Sequence, residues 1–299
     1  MGAKAGPSAQ LPDGEIRCRL GEIAHFRLTG QLGRMAKHFA PDVVVHFNCT
    51  QLGLFSSGTS RGRDAFIASM RRSEIDYEAL DGEIVDVLVE NGRAAVRWST
   101  CWRHRGTGRV YVIDMAYFLK WRGSEIVELY EYLDYPSPPG IGRDALSTFD
   151  RMMRPTGPGL SRKEIVSRVN ELANFASARG PDVALIREYY SPEIVCEFVG
   201  QRTRIPYAGK HVGVEAVINI VRAINVDFEQ LDYELSDILV DGGRLACRRT
   251  VHWRHRGTGR RGVVELAEFV KFEDGLIVEL IEYRDSVTIL EMQGALEVW

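Results

Sequence analysis

The chain is poor in cysteine. Five thiols are spread over 299 residues, at Cys18, Cys49, Cys101, Cys196 and Cys247. Their number is odd and no CxxC pair occurs, which argues against a disulfide scaffold or a zinc cluster. They read instead as small core hydrophobes. An excess of either charge is also missing: 38 Lys and Arg stand against 41 Asp and Glu, a net charge of -3. A general nucleic-acid binder would carry a strong basic excess, so that class is excluded. No apolar run is long enough to span a bilayer. Met1 to Gly14 lacks the apolar stretch of a signal peptide, and Gly6 stands where a myristoylation pattern needs Ser or Thr. A cytoplasmic protein without a membrane partner is the expectation.

What the chain does have is a long internal repeat. Trp102-Arg-His-Arg-Gly-Thr-Gly-Arg109 recurs letter for letter as Trp253-Arg-His-Arg-Gly-Thr-Gly-Arg260. At the same offset Leu80 to Arg93 matches Leu231 to Arg244, Ile126-Val-Glu-Leu129 matches Ile277-Val-Glu-Leu280, and Asp134 matches Asp285. No gap is needed from His38 and Tyr189 onward, so one domain has been duplicated. Hydrophobic residues make up 45% of the chain, enough for each copy to build its own core. Prolines and glycines crowd between Tyr135 and Gly159 and punctuate the chain there. The boundaries read from this are a first domain over 14–136, a linker over 137–160 with a short helix near Arg143 to Met153, and a second domain over 161–290.

Each copy opens helical, over Glu15 to Leu28 and over Arg162 to Ala178, with apolar residues at three- and four-residue spacing and a following Gly30 or Gly180. A second short helix is predicted up to Phe39 and up to Tyr190. Val43 to Phe47 and Ile194 to Phe198 read as strands. A third helix opens at Gly62-Arg-Asp-Ala65 and at Gly213-Val-Glu-Ala216. The remainder of each copy reads as four strands, the first over Glu83 to Glu90 and over Glu234 to Val240, ending in hairpin signals at Asn91-Gly92 and Gly242-Gly243. The order α-α-β-α-β-β-β-β suits a curled antiparallel sheet wrapped over helices.

These residues resemble the SnoaL-like branch of the nuclear transport factor 2 and ketosteroid isomerase superfamily. The resemblance is carried by Phe39-Ala-Pro-Asp42, Gly62-Arg-Asp-Ala65 and Phe269 to Glu279, and covers each copy almost completely. It implies an α+β fold: a tandem duplication of a cone-shaped domain, each with three N-terminal helices packed on a curved antiparallel sheet. It also implies pairing through the outer sheet face, where Ala116 and Phe118, with Ala267 and Phe269, form apolar stripes. A linked duplicate could pair them as an intramolecular pseudo-dimer, or two chains could form a homodimer.

The superfamily hosts isomerases, cyclases, dehydratases, hydrolases and plain binding domains, so fold does not fix activity. The isomerase base falls at Phe47 and Phe198 and is absent. The isomerase helix-one tyrosine falls near Ile23 and Ala173 and is absent too. Its oxyanion-hole carboxyl falls at Tyr117 and Glu268. The Asp-Arg-Asp set of the limonene-type epoxide hydrolases falls at Thr100, Trp98 and Glu131 in copy one, and at Val251, Arg249 and Glu282 in copy two.

Strand alternation puts these positions on the inner face. Copy two then offers Arg249, Glu268 and Glu282 as an acid/base set, with Glu268 alone in an apolar row and Glu282 held ionised by Arg249. Phe198, Val251 and Trp253 would line that pocket. Copy one, with Phe47, Trp98, Trp102, Tyr117 and Glu131, reads more as a binding cavity for a small apolar or polycyclic ligand. Three readings stay open: a cofactor-independent enzyme acting in the second half, a non-catalytic binding module, and an assembly domain. No metal is expected, since His104 and His255 have no second histidine or acidic cluster spaced to join them. The repeated basic turn reads either as an anion site or as a solvated hairpin anchored by its tryptophan.

Overall fold

The computed structural model describes residues 10–48, 58–133, 159–174, 182–200 and 205–295. The predicted linker lies almost wholly outside them, and with it the short helix near Arg143 to Met153. The chain divides into two compact units, Met1–Met152 and Met153–Trp299.

In the first unit α1 (Asp13–Leu28), α2 (Leu32–Met35) and a 3-10 turn (Ala36–His38) lead into β1 (Phe39–Phe47) and a short β2 (Gly58–Arg61). Helix α3 (Arg63–Asp76) follows, then β3 (Tyr77–Glu90), β4 (Arg93–His104), β5 (Val110–Arg122) and β6 (Glu125–Leu133). The strands form one sheet in the order β2-β1-β6-β5-β4-β3. All neighbours are antiparallel except β1 and β6, which run parallel. The chain can make that pairing because α3 and four strands intervene between them, more than the dozen residues a parallel crossover needs. The predicted hairpin at Asn91-Gly92 is present, with φ of 51° and 70°, both in the left-handed region that such a turn requires. Strand β3 begins at Tyr77, well before the expected Glu83. Register shifts between Ala79 and Asp81 and between Ile84 and Asp86 bend it around the helices, as bulges do.

Helix α1 presents Ile16, Leu20 and Ile23 on one stripe, and α3 presents Phe66 and Ile67; these meet Val45, Phe47, Val96, Leu119 and Ile126 from the inner face of the sheet. A second cluster, nearer the repeated turn, joins Tyr77, Trp98, Trp102, Ile113 and Met115. The first cluster is the main core and borders a cavity on one side. The second forms the wall of an internal chamber.

The second unit repeats this plan. Helices α4 (Arg162–Asn174) and α5 (Val183–Tyr189), strands β7 (Tyr190–Phe198) and β8 (Gly209–Val212), and helix α6 (Val214–Asp227) precede β9 (Phe228–Asp241), β10 (Arg244–His255), β11 (Arg261–Glu273) and β12 (Leu276–Arg284). Sheet order and pairing match the first unit, again with one parallel pair, β7 and β12. The predicted extension of α4 to Ala178 lies outside the described residues. One further element carries no clear signal in the sequence: helix α7 (Ser286–Gln293). It is capped by Asp285, whose carboxylate accepts the amides of Val287 and Thr288, a standard N-cap arrangement.

Ile277, at 1% exposure, packs in the core of the second unit beside Ile165 and Phe272. Ile277→Ala should remove about 2–5 kcal/mol from that unit, the usual range for a large-to-alanine change in a core. Denaturant unfolding followed by a probe in the second unit measures it.

Candidate functional site

Two adjoining cavities lie inside the first unit, of about 40 Å³ and about 60 Å³. Both are bounded by Arg27, Met70, Trp98, Tyr117 and Glu131. Phe47 and Trp102 line the first of them. All five first-copy residues expected to bind ligand therefore face one space. Strand alternation explains it: Trp98 and Trp102 project from the same face of β4, and Tyr117 stands opposite Glu131 in the β5–β6 register. Glu128, on the other face of β6, is instead paired with Lys120 at 2.7 Å. Trp102 is oriented by its indole N–H, which donates to the Thr100 hydroxyl at 2.7 Å. Thr100 thus holds a wall residue in place.

Arg27 is a site residue that the sequence pattern alone does not single out. It continues the buried stripe of α1 one turn beyond Ile23 and is 6% exposed. Its guanidinium donates to Glu74 at 3.0 Å and to Ser73 at 3.1 Å, and lies 4.6 Å from the centre of the Trp102 ring, within cation–π range. A signal for it exists, since an arginine four residues after Ile23 sits on the apolar face of an amphipathic helix.

The chamber perturbs its acids. Burial pushes the Glu131 carboxyl up to about 7, against the opposing pull of the Tyr117 hydroxyl and the Arg27 charge. Burial, with the neighbouring Glu131 charge, raises Tyr117 well above its ordinary value, so its hydroxyl stays a donor. Burial also lowers Arg27, with Glu74 acting against it.

The second unit brings its three predicted residues together as well, in a different state. Arg249 donates to Glu268 at 2.6 Å and to Glu282 at 3.4 Å. Its closer ion pair is with Glu268, whereas the sequence points to Glu282. Glu282 has a nearer cation in Arg284, a residue without a charged counterpart in copy one, where Leu133 stands. Arg284 lies over Phe198, 4.5 Å from the ring centre. Burial lifts the Glu268 carboxyl to about 6; the Glu282 charge adds to the rise and Arg249 opposes it. Burial works against the Arg249 cation, but Glu268 and Glu282 together outweigh it and raise its pKa. The Cys247 thiol donates to Glu268 at 3.5 Å.

Val251 and Trp253, expected to line this pocket, are covered. With Phe228, Val264 and Leu266 they pack against Ile289 and Met292 of α7. The equivalent first-copy positions, Trp102, Ile113 and Met115, border a cavity. The repeated turn explains part of the difference. In both copies its histidine Nδ1 accepts the threonine amide, at 3.0 Å for His104 and Thr107 and at 3.2 Å for His255 and Thr258. In the second copy the turn also grips α7: Thr258 donates to the Met292 carbonyl at 2.6 Å and Arg260 to the Glu291 carbonyl at 2.8 Å. Among the described residues no group of three or more His, Cys, Asp or Glu side chains is placed to hold a metal ion, and no helix is long and apolar enough to cross a membrane.

The raised Glu131 carboxyl has a stability consequence. Between its ordinary value of 4.5 and about 7 the unfolded chain has lost the proton that the folded chain keeps, so stability falls as pH rises through that window and levels off above it. The span is on the order of 3 kcal/mol. In Glu131→Gln this slope should flatten, as read from denaturation midpoints of the first unit against pH.

The SnoaL-like domain model matches the chain twice, over residues 23–129 and 170–280. Each match lies within one unit. None of the curated proteins compared is significantly similar to the chain. Among solved structures, a candidate isomerase from Rhodopseudomonas palustris is 18% identical, with 45% of this chain and 99% of that one covered and a TM-score of 0.40. A candidate SnoaL-like polyketide cyclase from Jannaschia sp. CCS1 is 15% identical, with 47% and 100% covered and a TM-score of 0.39. TsrD from Streptomyces laurentii is 22% identical, with 46% and 99% covered and a TM-score of 0.37. With the family model spanning most of both sheets, the chain belongs to the SnoaL-like domain family and carries two tandem copies of that domain.

Proposed function

We propose that the first copy is the ligand chamber of this protein, and that it performs cofactor-independent acid–base chemistry on a small apolar molecule bearing one carbonyl or hydroxyl oxygen. The observation that carries this reading is that two adjoining cavities share Tyr117 and Glu131, with Glu131 poised at about 7. A carboxyl that exchanges its proton near neutral pH is matched to general acid–base work. Tyr117 remains protonated and supplies a fixed donor for the ligand oxygen. Trp98 and Trp102 offer flat apolar walls that suit a cyclic or polycyclic body. Arg27, desolvated beside them, stabilises negative charge as it develops on the ligand.

A second reading places the chemistry in the second copy. It is favoured by Glu268, raised to about 6 beside Glu282 and Arg249, since two carboxyls in unlike environments can divide acid and base roles. Against it, both carboxyls are already engaged by arginines. Plain binding without turnover is the outcome if neither set acts.

A naphthol serves as a binding probe and a panel of small cyclic ketones as substrates. Tyr117→Phe should weaken naphthol binding roughly two- to tenfold, the worth of one hydrogen bond. Glu131→Gln should leave binding nearly intact and cut turnover roughly 10²–10⁴-fold, the usual contribution of a general base. Where Glu131 abstracts the proton, the rate rises with pH through about 7 and is flat above. Loss of turnover on Glu282→Gln, with Glu131→Gln unaffected, would transfer the chemistry to the second copy.

A further inference from the structure

The repeated turn is identical in the two copies, yet it grips a helix in the second. Close after it, Tyr111 in copy one stands against Gly262 in copy two, at the same offset of the repeat. A Cβ on Gly262 would stand 2.7 Å from Thr288 Cγ2 and 2.8 Å from Met292 Sδ. Real Cβ atoms do not approach so closely, so the Thr288 and Met292 side chains of α7 must give way for any residue other than glycine to stand there. In the first copy that position carries the Tyr111 ring, packed against the cluster of Trp98 and Trp102. A helix cannot dock there in the same way.

The contacts of α7 are those of a latched cover. Ile289 and Met292 lie on Val251, Trp253, Val264 and Leu266, while Leu290 reaches the main core of the unit and Val287 is buried as well. Its last carbonyls, which a helix end leaves without partners, are taken by Thr258 and Arg260. The Arg260 charge also suits the negative end of the helix. The helix is eight residues long, too short to be stable without this seat. Lifting it breaks the hydrogen bonds from Thr258 and Arg260 and uncovers Val287, Ile289, Leu290 and Met292, while the strand ladder of the sheet does not run through it.

We propose that α7 is a displaceable stopper on the second chamber, that the duplicated turn is its latch, and that Gly262 is the position that admits it. Lifting α7 opens the Val251, Trp253, Val264 and Leu266 wall, and with it a route to Arg249, Glu268 and Glu282, to a small apolar ligand. Access to the second chamber is thus set by α7. The inference concerns the second copy and stands apart from the chemistry assigned to the first.

Three measurements on the full chain test it. In the unaltered protein, hydrogen exchange in α7 should run faster than in β10 and β11 and be nearly independent of low denaturant, the mark of a local opening. Exchange of α7 only through global unfolding overturns the proposal. The second measurement uses Gly262→Tyr, which imports the first-copy residue. The third uses the double change Ile289→Ser with Met292→Ser, which frees α7 without added bulk and without leaving an apolar helix exposed. Sites for the apolar dye anilinonaphthalene sulfonate are counted per chain. Both variants should gain one saturable site over the unaltered protein, or bind at that site about tenfold more tightly, because a closed cover lowers apparent affinity by the fraction open. If α7 exchange accelerates in the variants and the count and affinity stay the same, the helix does not guard the chamber. If the unaltered protein binds no dye but the variants do, the first-copy reading fails and this one stands.

Discussion

A carboxylate removed from water must be neutralised or paired, and this constraint shapes both halves of the molecule. A closed cone leaves few ways to meet it. In the first copy Glu131 meets it by holding its proton up to about pH 7, with Tyr117 beside it and the nearest cation, Arg27, committed to Glu74. In the second copy the same β-strand position is Glu282, and it meets the constraint through Arg284 and Arg249. Three exchanges at equivalent inner positions separate the two solutions: Trp98 for Arg249, Tyr117 for Glu268 and Leu133 for Arg284. One chamber has gained charge in self-compensating pairs. The other has kept apolar walls around one titratable acid. Buried ion pairs of the former kind add little net stability over apolar packing, so the charged set is not explained by stability.

The same fold also decides access. The turn bearing the repeated Trp-Arg-His-Arg-Gly-Thr-Gly-Arg motif is built by its own residues, with the histidine holding the threonine amide in both copies. This leaves the threonine hydroxyl and the last arginine available as donors. In the second copy they meet the end of α7. Gly262 has no side chain to obstruct α7, and Asp285 starts that helix with its carboxylate. Asp134 is the counterpart of Asp285, so of these two residues the glycine, against Tyr111, is the one that differs between the copies.

Much of this is legible in the residues without any coordinates. The duplication comes from letter-for-letter identity, the hairpin at Asn91-Gly92 from its turn chemistry, and the inner positions of Trp98, Tyr117, Glu131, Arg249, Glu268 and Glu282 from the two-residue period of a strand. Less is legible where the fold departs from local pattern. Strand β3 begins at Tyr77 rather than Glu83, because bulges near Asp81 and Asp86 break the period. The parallel pairing of β1 with β6 joins segments separated by a helix and four other strands, which no window of sequence reports. Helix α7 carries apolar residues all round, so its period is weak. Arg27 is hidden for a different reason: an arginine on an apolar stripe is as easily a solvated end as a buried cation, until the ring of Trp102 is known to lie beneath it.

The sequence by itself determined that there are two copies of one α+β domain of the SnoaL-like family, and which strand residues point inward. These are consequences of repeat identity and of backbone periodicity, both of which are local. Only the tertiary structure decided which acid meets which base, where the first-copy cavities lie and what α7 packs upon. Those depend on distances between side chains far apart in the chain: Arg249 to Glu268 across adjacent strands, Arg27 to Glu74 between helices, and Thr288 to the bare backbone of Gly262. Small differences in those distances set desolvation and contact, and desolvation and contact set the charge state and the openness of each cone.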